Sequence, residues 1–185
     1  MRIEVRERNK DFFDECLYVT CFFKKILKNP NRKIMGASKM YFRGLIVYLL
    51  AAMLFIFIAI NEGFGGLYLI FIVIYFWFAA VMAYNLFVVK KQIKLYMNDD
   101  GKVSVFEINE NVIRVESYVG TTVELNWDLV KYILINKETI SFVPEKLSVS
   151  TVSMFVSTKY KEIVIDAIRK YNKESLIIDN SELYK

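Results

Sequence analysis

The chain has 185 residues, a formal net charge of +5, two cysteines and no histidine. Without histidine it lacks the triad base, the commonest metal ligand and the usual acid–base group near neutrality, so neither cofactor nor metal chemistry is expected. The basic excess does not point to nucleic acid: residues 1–43 carry 11 basic and 5 acidic side chains, whereas residues 90–185 carry 14 of each, leaving no one-signed field on the C-terminal half.

Residues 1–43 read as a strand followed by an amphipathic helix. Ile3 and Val5 alternate with Glu4 and Arg6 over Ile3–Arg8, the period of a short strand. Asn9 suits a helix cap, with Asp11, Asp14 and Glu15 in the first turns and Lys24, Lys25 and Lys28 in the last, before Asn29-Pro30-Asn31 ends it. Phe12, Phe13, Cys16, Leu17, Thr20, Phe23 and Leu27 recur at helical spacing. That face either packs on the protein's own folded domain or lies in a membrane interface beside its basic end. Cys16 and Cys21 stand five apart, about 500° around a helix, so they do not share a face as a metal pair would.

Residues 44–89 read as a transmembrane hairpin. Gly44–Ile60 holds 17 residues without a charge and Phe64–Val89 holds 26, joined by the loop at 61–63 with Gly65 and Gly66 beside it. As helices they measure roughly 26 Å and 39 Å, against a hydrocarbon core of about 30 Å. Lys39 and Arg43 precede the first span; Lys90, Lys91 and Lys94 follow the second; the loop carries only Glu62. Basic residues near span ends stay on the cytoplasmic side, so both termini are expected in the cytoplasm of a cell with its inner membrane around the hairpin. A cleaved signal peptide is not expected, because the apolar run begins after some forty residues. Ala79 and Ala83 form a small-xxx-small pair suited to helix packing.

After Asn98-Asp99-Asp100-Gly101 the period changes to two. Val103–Ile108, Val112–Tyr118, Thr122–Trp127, Val130–Ile135 and Thr139–Val143 read as five antiparallel strands, with turns at Asn109–Asn111, Gly120 and Asn136–Glu138. Pro144 ends the series, and Leu147–Ser153 is a candidate edge strand. Ser157 or Thr158 then caps a helix with the stripe Ile163, Val164, Ala167, Ile168 and Tyr171. The β-rich domain is placed at 97–173 and the tail at 174–185, where "SLII" can add an edge strand. The fold class expected is therefore an α+β membrane protein. It pairs a two-helix transmembrane hairpin with a small antiparallel, barrel-like domain closed by a C-terminal helix.

The segment Asn126–Leu147, "NWDLVKYILINKETISFVPEKL", resembles the YcxB-like family of small bacterial membrane proteins. Trp127, Asp128, Val130, Pro144 and Glu145 follow that family's order of a Trp-acid step, strand, turn, strand and proline. The family usually has a basic residue directly after the proline; here Glu145 takes that place and Lys146 follows. The resemblance implies a domain similar to bacterial pleckstrin-homology (PH) modules and no established activity. Trp127 reads as a core anchor and Asp128 as a turn cap.

The expected function is a non-enzymatic, cytoplasm-facing binding or scaffold module on a membrane anchor. Its partners would be membrane lipids, with a protein partner or further copies of the chain, and no nucleic acid. The alternative is a self-assembling membrane effector or immunity protein of bacterial defence, with the β-domain as ligand sensor.

Overall fold

The computed structural model describes residues 1–7, 9–63, 65–98, 103–116, 121–148 and 151–184. The expected turns at Asp99–Gly101 and Gly120, the end of the strand at Tyr118, the start of the second span at Phe64 and the middle of Leu147–Ser153 lie outside them. The chain divides into two compact units, Met35–Lys94 and the pair of segments Met1–Ile34 with Leu95–Lys185.

The first unit is built from two long helices, α3 (Ala37–Glu62) and α4 (Gly66–Met97). Gly63 ends α3 with a φ of 89°, a conformation that costs glycine nothing and other residues a clash with their own Cβ. The helices run antiparallel, since Tyr48 stacks on Phe78 (5.2 Å between ring centres) and, about two turns further on, Phe55 stacks on Phe71 (5.1 Å). Ala52, Ala59 and Ala79 are buried in this helix pair, where a small side chain lets the backbones close. Outward-pointing Leu50, Met53, Phe57, Val73 and Trp77 are all more than half exposed.

Among the described residues, the second unit carries eight strands in two four-stranded sheets and not a closed barrel, which corrects the barrel-like expectation. One sheet has the order β1 (Arg2–Val5), β2 (Ser104–Ile108), β3 (Val112–Glu116), β4 (Thr122–Asn126), all antiparallel. The other has the order β7 (Met154–Ser157), β6 (Thr139–Pro144), β5 (Val130–Ile135), β8 (Ile177–Asp179). Closure fails for a topological reason. A 3-10 turn at Trp127–Leu129 carries the chain from one sheet to the other, and β8 then pairs parallel on the outer edge of β5.

One core joins both sheets to the helix α5 (Lys161–Lys170). Phe106 lies 5.6 Å from Phe142, and Val164, Ala167 and Ile168 of α5 complete the packing. Ile163 of the expected stripe stays half exposed. The edge strand is β7, not Leu147–Ser153. Of that segment the described residues 147–148 and 151–153 form no strand, Ser148 and Thr151 bonding each other's backbone, and pairing with β6 begins at Met154 opposite Phe142.

The N-terminal segment forms α1 (Lys10–Cys21), capped by Asn9 Oδ1 accepting from the Asp11 N–H, and α2 (Phe23–Lys28). α1 packs on the sheet face of β6 opposite the shared core, burying Phe12, Asp14, Glu15, Tyr18 and Val19. The buried stripe is therefore rotated from the expected one: Thr20 is exposed, and two carboxylates are covered. With both faces covered, every residue of β6 is buried.

Candidate functional site

A groove forms where α1 breaks into α2. Phe22 leaves the helical region (φ −111°, ψ 26°) while its N–H still reaches the Tyr18 carbonyl at 2.9 Å, so the chain bends without losing that bond. The bend leaves Cys21, Phe22 and Leu27 facing the segment that follows β6. Pro144 cannot donate to the ladder and ends β6. The Glu145 N–H then bonds the Leu129 carbonyl at 2.9 Å, which brings Glu145, Lys146 and Leu147 to the opposite wall. The groove encloses about 650 Å³. Lys24, Lys25 and Lys146 are among its lining residues, with Glu145 the one acidic residue beside them. Lys25 Nζ sits 5.4 Å from the Phe22 ring centre, and Lys131 Nζ is 3.9 Å from Glu145.

A second polar feature lies under α1. Glu15 is 5% exposed, and one of its oxygens accepts both the Glu138 N–H (3.1 Å) and the Thr139 hydroxyl (2.9 Å) in the β5–β6 turn. Asn9 Nδ2 donates to the Glu138 carboxylate at 2.8 Å, so the cap of α1 grips the same turn. Burial pushes the Glu15 carboxyl up to about 7, even though both hydrogen bonds favour its charged form. Burial, with Glu15 adjacent, holds the Cys16 thiol well above its usual range, the opposite of an activated nucleophile. Glu15 is covered by the helix and already has its partners, and Cys16 is partly buried beside it. Among the described residues, no group of three or more His, Cys, Asp or Glu side chains is placed to hold a metal ion.

The residues of the Trp-to-Pro motif end in different places. Trp127 is 3% exposed within the shared core, its indole N–H donating to the Asn109 carbonyl at 2.9 Å. Asp128 is exposed in the 3-10 turn, Pro144 is buried at the end of β6, and Glu145 lines the groove. Lys39, Arg43, Lys90, Lys91 and Lys94 are all exposed. Ala79 is buried in the helix pair, whereas Ala83 is exposed.

Sequence reasoning did not find the groove, because Lys24 and Lys146 meet only through the fold. The small residues Ala51 and Ala52 at mid-span were legible as a place of close helix approach, but Tyr48, Phe55 and Ala59, which complete the seam around Ala52, were missed although the 4-3-4 spacing is a heptad signal. No family model, no curated protein and no solved structure matches the chain.

Proposed function

We propose that the protein is a membrane-anchored, non-enzymatic binding module whose β-rich unit works at the cytoplasmic face of the inner membrane. The observation that carries this reading is the exposure of the two apolar helices. Each is long enough to cross a bilayer, yet only 11% and 6% of their most apolar windows are buried within the molecule. A soluble protein would hide such helices; apolar faces of this extent call for lipid. The exposed basic residues Lys39, Arg43, Lys90, Lys91 and Lys94, set against Glu62 between the helices, favour cytoplasmic termini.

The likeness to YcxB-like proteins and their PH-like domain is part of the same proposal. An antiparallel series from β2 to β7 followed by the closing helix α5 supports it, while β1 and β8 are additions to that plan. Surface binding is favoured over a sensor cavity, because Phe106, Trp127 and Phe142 fill the space between the sheets. The partners are then membrane lipids together with a protein or further copies of the chain, met at high effective concentration because the anchor confines the module to a thin layer.

Cysteine accessibility tests the anchor and its orientation together. In intact cells an impermeant maleimide should label a Gly65→Cys variant, and the exposed native Cys21 only after lysis. Labelling of Cys21 in intact cells with Gly65→Cys silent would reverse the topology. Release of the protein by alkaline carbonate would remove the anchor.

A further inference from the structure

We infer that the groove between α2 and the segment after β6 is a seat for an anionic phospholipid. The phosphate would sit among Lys24, Lys25 and Lys146, and the first acyl carbons against Phe22, Leu27 and Leu147. Three lysines and one acidic residue line a single depression, and the carboxylate of that residue, Glu145, lies 3.9 Å from a further lysine, Lys131. The local field is cationic in a unit whose C-terminal half is charge-balanced. Ammonium groups bind phosphate as compact point charges and need no fixed fork geometry, which suits a headgroup entering at variable depth.

The apolar part of the lining decides between a lipid and an acidic peptide. A peptide laid into the groove would bring backbone N–H and C=O groups that must be paired. The Thr20 hydroxyl in the wall already donates to the Cys16 carbonyl at 2.9 Å, the side chains of Phe22, Phe23, Leu27 and Leu147 are apolar, and the polar side chains left in the lining are three lysines and Glu145, a set that suits one phosphate better than a run of peptide groups. Acyl carbons make no such demand. Leu147 remains 40% exposed at the groove, surface that an acyl chain would cover. The inference rests on the membrane anchor proposed above. Lys25 precedes the first apolar helix by twelve residues of chain, a tether of at most roughly 40 Å, so a membrane holding that helix keeps the groove within reach of its lipids.

Cys21 lines the groove and serves as a reporter. The full-length protein in non-ionic detergent is treated with a water-soluble maleimide, and the alkylation rate of Cys21 is read by peptide mass. Short-chain phosphatidylglycerol should slow alkylation several-fold, whereas phosphatidylcholine of equal chain length should not. The Lys24→Gln, Lys25→Gln, Lys146→Gln triple variant should need at least about 10-fold more phosphatidylglycerol for the same protection, because each lysine near anionic lipid is worth roughly fivefold. A Lys90→Gln, Lys91→Gln, Lys94→Gln variant should behave like the parent. Equal protection by both lipids, protection that survives the groove variant, or equal protection by glycerol phosphate or a glutamate-rich peptide would each overturn the inference. Resistance to carbonate extraction is measured in parallel. Its loss defeats the anchor, whereas its retention with unresponsive Cys21 rates defeats the lipid seat alone.

Discussion

Glu15 shows how one side chain can tie the docking of a helix to pH. Its carboxyl titrates near 7 in the folded chain because burial disfavours the charge, against an ordinary value of 4.5. The folded state therefore holds a proton that the unfolded chain has already released. Stability from this site is complete below about pH 4.5 and is lost as the pH rises through 7, a change on the order of 3 kcal/mol. Neighbouring charge does not reverse the sign: Glu138 across the contact raises the value further, and Asp14 is buried on the same helix. The thermal midpoint of the detergent-solubilised protein should fall between pH 5 and 7.5, and Glu15→Gln should flatten that slope while keeping an acceptor for Thr139. A midpoint that falls identically in Glu15→Gln would place the titration elsewhere. Trp127 is a simpler case. Its ring meets Phe142 edge-on at 6.3 Å, within the core shared by both sheets. Trp127→Ala should cost about 3–5 kcal/mol and sharply reduce accumulation of the protein in cells. The role of Trp127 was legible in the sequence, because a large aromatic beside a strand nearly always fills a small core. That of Glu15 was not: a carboxylate in the first turn of a helix looks like a dipole partner until the fold lays β6 across it.

Among the elements, the helix pair carries its own instructions and the N-terminal helix does not. In α3, Ala52 and Ala59 are fully buried against α4, with Tyr48 and Phe55 stacked on Phe78, Phe71 and Tyr75 around them. Ala52→Leu should force the helices apart and cost roughly 1–3 kcal/mol, as overpacking does. The opposite change, Leu50→Ala, on the exposed side, should leave the melting midpoint nearly unmoved. Equal effects at both sites would show that the pair does not pack through this seam. α1, by contrast, has apolar residues on more than one side. Which of them it buries is chosen by the polar grip of Asn9 and Glu15 on the β5–β6 turn, a choice that hydrophobic periodicity alone does not encode.

At the scale of the whole molecule, the β-rich unit is assembled from two ends of the chain. β1 pairs with β2 through Ile3 opposite Phe106, and the tail returns to hold the N-terminal segment. There the Tyr184 hydroxyl donates to the Ile34 carbonyl (3.1 Å) and accepts from its N–H (2.9 Å), while Asn180 Nδ2 donates to the Pro30 carbonyl (3.0 Å). A fragment of residues 97–173 lacks β1, α1 and β8. It should remain largely unfolded by circular dichroism, whereas residues 1–34 joined by a flexible linker to 95–185 should give a cooperative melt. Cooperative folding of the shorter fragment would make these contacts dispensable.

What the sequence determined by itself was everything set by local period, composition and turn chemistry. That covers two uncharged helical runs with basic flanks, the strands from Val103 to Val143, the closing helix and the breaks at Asn29–Asn31 and Pro144. Each of these is written within ten to thirty consecutive residues, where a period of 3.6 or 2 repeats often enough to be read. Only the tertiary structure decided the features made by residues far apart in the chain. These are the division into two open sheets, the parallel pairing of β8 on β5, the burial of Glu15 beneath α1, and the meeting of Lys24 and Lys25 with Lys146 across one groove. No periodicity links positions 25 and 146. The physical reason they meet is that β6 must cover both of its faces, and the helix that covers the outer one ends where Pro144 releases the chain.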